Sequence, residues 1–147
     1  MGKQGLPRAV TVLLIALNVL CFLLQHVEPG TRNAGSFALV PAEMFQVGIA
    51  GGNARGPYDA LAVPEGVTLL SYMFLHADIF HLLFNMLFLW VFGDNVEDAL
   101  GHTRFLIFYL ACGVLAGLAH AVMLPGSKAP LIGASGAVAG VIGAYLL

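Results

Sequence analysis

The chain has 147 residues, of which 59% are hydrophobic and 10% charged, with six Lys or Arg against eight Asp or Glu and a formal net charge of -2. Soluble domains carry roughly a quarter charged residues, so this composition, with a mean hydropathy of +0.89, excludes an ordinary soluble globular protein. The acidic balance also argues against nucleic acid as a partner.

The first predicted element is an apolar helix near residues 9–26, uncharged from Ala9 to Leu24 and interrupted mainly by Asn18. Lys3 and Arg8 precede it, as they would in a signal peptide. The run is long, however, and Gln25-His26-Val27-Glu28 follows it in place of a small-x-small cleavage site, so a retained helix is expected. The same two cations place the N-terminus in the cytoplasm by the positive-inside rule.

A long outer loop is predicted over residues 27–66, punctuated by Pro29-Gly30, Gly51-Gly52, Gly56-Pro57 and Pro64. It also holds the apolar patches Phe37-Ala38-Leu39-Val40 and Met44-Phe45, which suggest a piece lying in the membrane interface.

The second membrane helix is predicted near residues 78–92, with Asp78 as its N-cap and Gly93 as its end. Asp94-Asn95-Val96-Glu97 then has capping-box spacing for a short inner loop. Gly101 stops that turn, and Thr103 is positioned to cap a third helix near residues 104–124. Asp94, Glu97 and Asp98 are read as structural, in a solvated loop.

A fourth apolar helix is expected near residues 134–147. From Ser135 to Leu147 there are 13 residues, about 20 Å of helix at 1.5 Å per residue, which is short of the roughly 30 Å hydrocarbon core. The sequence therefore reads as one membrane domain over residues 1–147, incomplete at its C-terminal end. Cys21 and Cys112 both lie in apolar spans, where small buried hydrophobes are expected rather than a disulfide.

Chemistry concentrates in two places. His81 and Asn85 stand four residues apart in an otherwise apolar helix, so both fall on one face. Their bland reading is interhelical hydrogen bonding; the sharper one is a pair of donors for an oxyanion. The second place is Gly133-Ala134-Ser135-Gly136. Serine between glycines at a helix start is either packing material or an accessible nucleophile on a tight turn. With the N-terminus inside, helices two and four both begin at the outer face, and His81, Asn85 and Ser135 share one depth. His76, Asp78 and His81 make a poor metal set, since neither a His-x-x-x-His pair nor a completing cysteine is present. Gly113-x-x-x-Gly117 and Gly136-x-x-x-Gly140-x-x-x-Ala144 are small-residue patterns for close helix packing.

His81-x-x-x-Asn85 followed by Gly133-x-Ser135-Gly136 resembles the rhomboid intramembrane serine proteases. So does the run from Phe74-Leu75-His76 through Phe92-Gly93-Asp94-Asn95-Val96-Glu97-Asp98. The resemblance implies an all-α polytopic membrane protein, a rhomboid-like helical bundle with about four of six core helices present. It implies Ser135 as nucleophile, the Ser135 backbone N–H, His81 and Asn85 around the oxyanion, and His76, Gly133 and Gly136 as structural residues near the site. The partners implied are transmembrane protein substrates and the lipid bilayer, in a multi-pass protein of the cell membrane, with no cofactor and no metal.

Two departures stand out. The family often carries Trp-Arg where this chain has Val67-Thr68, so the loop's anchoring is expected to differ. The family's general base is a histidine of the sixth helix, which lies outside this sequence. His120 is read as lining the site rather than as a base, and the 147 residues alone are expected to be inactive. Two further readings stay open: a non-catalytic relative that binds transmembrane clients, and a transporter or assembly subunit whose polar groups line a water path.

Overall fold

The computed structural model describes residues 8–27, 35–49, 61 and 63–147. Lys3 and the loop punctuation at residues 29–30, 51–52 and 56–57 lie outside the described residues. Among the described residues six α-helices follow in order: α1 (Ala9–Val27), α2 (Pro41–Val47), α3 (Glu65–Ser71), α4 (Ile79–Leu100), α5 (His102–Met123) and α6 (Ser135–Leu146). Two short 3₁₀ turns, Gly35–Phe37 and Tyr72–Phe74, complete the regular structure. Among the described residues the only β contact is an isolated antiparallel bridge between Leu39 and Leu131.

α1 has 19 residues, and α4 and α5 have 22 each. At 1.5 Å per residue they span about 28–33 Å, the thickness of a hydrocarbon core. Their outward faces are apolar: Leu20, Leu23 and Leu24 on α1, Phe80, Leu83, Phe84 and Leu87 on α4, and Ile107, Leu115 and Val122 on α5 are all exposed. Such surfaces are stable only against lipid or other membrane helices. The fold is therefore an all-α polytopic membrane bundle.

The expected end of the second helix at Gly93 is corrected by the structure. α4 runs on to Leu100, through Asp94, Asn95, Val96 and Glu97. Gly93 is buried against α1, where a Cβ would meet Thr11 Oγ1 at 3.1 Å and Thr11 Cγ2 at 3.2 Å. The glycine is a helix contact, not a terminator. The turn occurs at Gly101, whose φ of +79° suits a residue without Cβ and whose N–H donates to Glu97 O at 2.7 Å. α5 begins at the next residue, so the predicted inner loop shrinks to one glycine, and Gly101, not Thr103, occupies the cap position of α5.

Nor is Glu97 a solvated loop carboxylate capping its own helix. It is 1% exposed and caps a different one. Its oxygens accept from Val10 N at 2.9 Å, Thr11 N at 2.8 Å and Thr11 Oγ1 at 2.6 Å, and pair with His102 Nδ1 at 2.5 Å. The first-turn amides of α1 have no intrahelical partner, and an acidic group there also suits the helix dipole. Beside it Arg8 pairs with Asp94 at 2.9 Å and lies 4.7 Å over the Trp90 ring.

Small residues set the helix crossings. A Cβ at Gly113 would collide with the Met73 thioether, and at Gly136 with Ala116. At Gly140 it would stand 2.5 Å from Cys112 Sγ. α5 and α6 thus approach as closely as small-residue interfaces allow. Cys112 serves as a packing residue, and both cysteines are free.

The described residues between α1 and α4 are docked by hydrogen bonds. Leu39 N donates to Leu131 O at 3.1 Å, Leu131 N to Leu39 O at 2.8 Å, and Ala42 N to Ser127 O at 2.9 Å. Ser71 Oγ donates to Phe37 O at 2.7 Å, and Gly66 N to Ile49 O at 2.8 Å. These bonds tie α2 and α3 to the connection between α5 and α6, at the same end as Ser135. α2 buries Pro41, Ala42, Glu43 and Met44 while leaving Phe45 exposed.

Candidate functional site

Three elements build the site: the start of α4, the start of α6, and the Tyr72–Phe74 turn between α3 and α4. Asp78 opens α4 as the sequence suggests, its carboxylate accepting from Phe80 N at 2.8 Å and His81 N at 2.9 Å. That cap orients the first helical turn and with it the His81 ring.

The α5–α6 connection then turns at Gly133. Its φ is +119°, a conformation L side chains rarely adopt. There is also no room for one: a Cβ there would lie 2.6 Å from His81 Cε1 and 2.7 Å from His81 Nε2. The imidazole therefore packs directly on the backbone of the turn, two residues before Ser135. Ala134 is fully buried, and Ser135 is the first residue of α6. Ser135 is exposed, and its hydroxyl makes no hydrogen bond among the described residues.

Asn85 lies one turn further along α4, 6% exposed, and its Nδ2 donates to His81 O at 2.8 Å. An Asn amide carries two hydrogens, so one N–H is left to offer. His76 is 1% exposed, and its ring meets that of His81 edge-on at 5.1 Å between centroids. Burial, with the His81 ring beside it, pushes the His76 pKa down to about 4. It is a neutral ring at physiological pH. Neither of its ring nitrogens has a partner among the described residues.

The structure thus brings His81, Gly133 and His76 together, keeps Asn85 one turn away, and leaves Ser135 open at the rim. Gly136 faces the other way, onto α5. His120 sits in the last turn of α5, joined to its surroundings by its backbone carbonyl to Leu124 N at 3.0 Å.

Two residues near this site escape the sequence reading. Gln25, in the last turn of α1, grips the His76 peptide from both sides: Oε1 accepts from His76 N at 3.1 Å and Nε2 donates to His76 O at 3.3 Å. Tyr72 accepts the Gly133 N–H on its carbonyl at 2.9 Å. Gln25 stands out in the sequence only as a polar residue ending an apolar run, and Tyr72 belongs to no motif.

Residues 64–147, more than half of the chain, match the family model of the Rhomboid domain. The chain belongs to the rhomboid family. This rhomboid is 36% identical over 144 residues to "Rhomboid protease GluP" of Bacillus subtilis (strain 168), covering 98% of the chain but 25% of that protein. It is 37% identical over 78 residues to "Putative rhomboid protease YdcA" of the same organism, 53% of the chain and 39% of the relative. It is 35% identical over 78 residues to the human "Presenilin-associated rhomboid-like protein, mitochondrial", 52% of the chain and 21% of the relative. The chain therefore spans a quarter of GluP's length and less than half of the other two.

Proposed function

We propose that this rhomboid is a serine endopeptidase that cleaves peptide bonds in or near transmembrane segments of membrane proteins. The observation that carries the reading is the seat of His81 on Gly133, two residues from an exposed serine hydroxyl free of other hydrogen bonds. Packing alone gives no reason to aim an imidazole from one helix at the turn that opens another.

In this reading Ser135 attacks the scissile carbonyl and forms an acyl-enzyme. The developing oxyanion is met by the Ser135 N–H, which as a first-turn amide has no intrahelical acceptor, by the His81 ring and by the second N–H of Asn85. Each such donor is worth about 3 kcal/mol in the transition state. The serine also needs a base, and no hydrogen bond joins Ser135 to a histidine among the described residues. The base is proposed to be a histidine of a further core helix, packed on the exposed Ser135, Ala139 and Gly143 stripe of α6. That stripe has room for close approach, since a Cβ at Gly143 meets nothing within 4 Å.

The protein is proposed to lie in the cell membrane with its N-terminus cytoplasmic, so that water reaches Ser135 from the outer face. A non-catalytic, client-binding relative is favoured by one observation, the Asn85 amide hydrogen-bonded to its own helix. A serine-directed fluorophosphonate applied to the native protein in its membrane separates the two. Label that disappears in Ser135→Ala, with loss of transmembrane-substrate cleavage, supports the protease. Label and cleavage indifferent to Ser135→Ala refute it.

A further inference from the structure

One residue binds the glycine before Ser135 and lies beside the glycine after it. Tyr72 is 2% exposed and begins the 3₁₀ turn Tyr72–Phe74. Its backbone carbonyl accepts the Gly133 N–H at 2.9 Å, which fixes the residue two before the serine. The side chain reaches the other side. Its hydroxyl donates to Gly113 O of α5 at 2.6 Å, and the ring covers Gly117, where a Cβ would stand 3.0 Å from Cε1. The same hydroxyl lies 3.5 Å from the Cβ position of Gly136, the residue just after the serine. The phenol is thus wedged between α5 and the first turn of α6, while the peptide of the same residue holds the preceding turn.

We infer that Tyr72 is a positioning residue: it sets where the Ser135 hydroxyl stands relative to His81, and it does so through Gly133 and Gly136 rather than by touching a substrate. The inference rests on the reading of Ser135 as nucleophile. Three features support it. A buried O–H to carbonyl bond is costly to break, so the ring has one seat. The hydroxyl lies within van der Waals reach of the Cβ position of Gly136, at 3.5 Å, so the phenol sits beside the first turn of α6. Burial raises the phenol pKa, so the hydroxyl stays a donor across physiological pH. Misplacing a nucleophile by about 1 Å costs up to about 100-fold in rate, and loss of the wedge frees the turn on one side only.

The test uses the native protein, with Ser135 labelling by a fluorophosphonate and transmembrane-substrate kinetics measured side by side. Tyr72→Phe keeps the ring and removes the donor. The expected result is a fall of about 10-fold in kcat and in the labelling rate per folded molecule, with KM within about twofold of the parent. 4-Aminophenylalanine at position 72 restores a donor on the same ring and is expected to recover most of the rate. A Tyr72→Phe protein that folds and labels at the parent rate overturns the inference, as does one that loses KM and kcat alike.

A second measurement does not depend on how that variant folds. 3-Fluorotyrosine at position 72 keeps both shape and hydroxyl, and its fluorine resonance is expected to move when Ser135 is phosphonylated. An unmoved resonance overturns the positioning role. A parent protein that carries no Ser135-dependent label instead brings down the protease reading, and this inference with it.

Discussion

Replacing Glu97 is expected to loosen the end of the bundle where α1 begins and α4 ends. The carboxylate accepts four hydrogen bonds at 1% exposure: two from first-turn amides of α1, one from Thr11 Oγ1 and one from His102. Hydrogen bonds to a charged group are worth about 1.5–3 kcal/mol each, and a stranded buried donor costs about 1–3 kcal/mol. These terms do not add, because the amides of a freed helix end recover some water. A net loss of about 3–5 kcal/mol is expected for Glu97→Ala, in line with other broken buried charge networks. Glu97→Gln keeps the shape but turns an NH₂ group toward donors, and about 2 kcal/mol is expected. Thr11→Val removes one of the four bonds and is expected to cost about 1 kcal/mol. His102→Ala is expected to cost less than that, because the His102 side chain is 37% exposed and screened. The assay is reversible unfolding of the detergent-solubilised protein, with a double-mutant cycle between Glu97 and Thr11. A Glu97→Ala protein with an unchanged midpoint, or strictly additive Glu97 and Thr11 effects, refutes the reasoning.

Gly133→Ala is expected to keep the helical circular dichroism but cut Ser135 labelling about 100-fold, because the new methyl meets His81 at 2.6 Å on a backbone with φ +119°; unchanged labelling counts against the seat of His81 on this turn. His76 has its native pKa lowered to about 4 from 6.5, so the unfolded chain takes up the proton first. Stability is therefore expected to fall as pH drops from about 6.5 to 4, by up to about 3 kcal/mol from this group. Unfolding curves of His76→Gln should be flatter than the parent's across that window, and parallel curves would exclude His76 as the source. Gly140→Ala drives a methyl to 2.5 Å from Cys112 Sγ, and overpacking of this kind costs about 1–3 kcal/mol. Because Cys112 Cβ would also stand 2.7 Å from that methyl, Cys112→Gly is the variant that clears the site; it is expected to recover part of the loss in a thermal melt, and no recovery would remove the clash as the cause.

The sequence made the spans legible because lipid imposes a crude rule: about twenty apolar residues in a row, visible without any tertiary knowledge. Asp78 was equally visible, since an N-cap is a local event between neighbours. Glu97 was misread for the converse reason. Its spacing from Asp94 fits a local capping box, yet its real partners lie 86 and 87 residues away in α1. Gly93 failed in the same manner, since glycine ends helices and also lets helices touch, and only the neighbour's position tells which. In the candidate site, the pairing of His81 with the Gly133 turn was suggested by depth alone. Tyr72, whose carbonyl holds that turn, and Gln25, whose amide grips the His76 peptide, act through bonds to or from the backbone that leave no pattern in the sequence.

The long reach of Glu97 has a consequence for how the protein is made. A ribosome delivers α1 to the membrane well before residue 97 exists, so the helix enters with its leading amides unsatisfied. Its final height and rotation in the bilayer are fixed only when α4 arrives and the carboxylate docks. α1 is thus inserted before the carboxylate that seats it has been made.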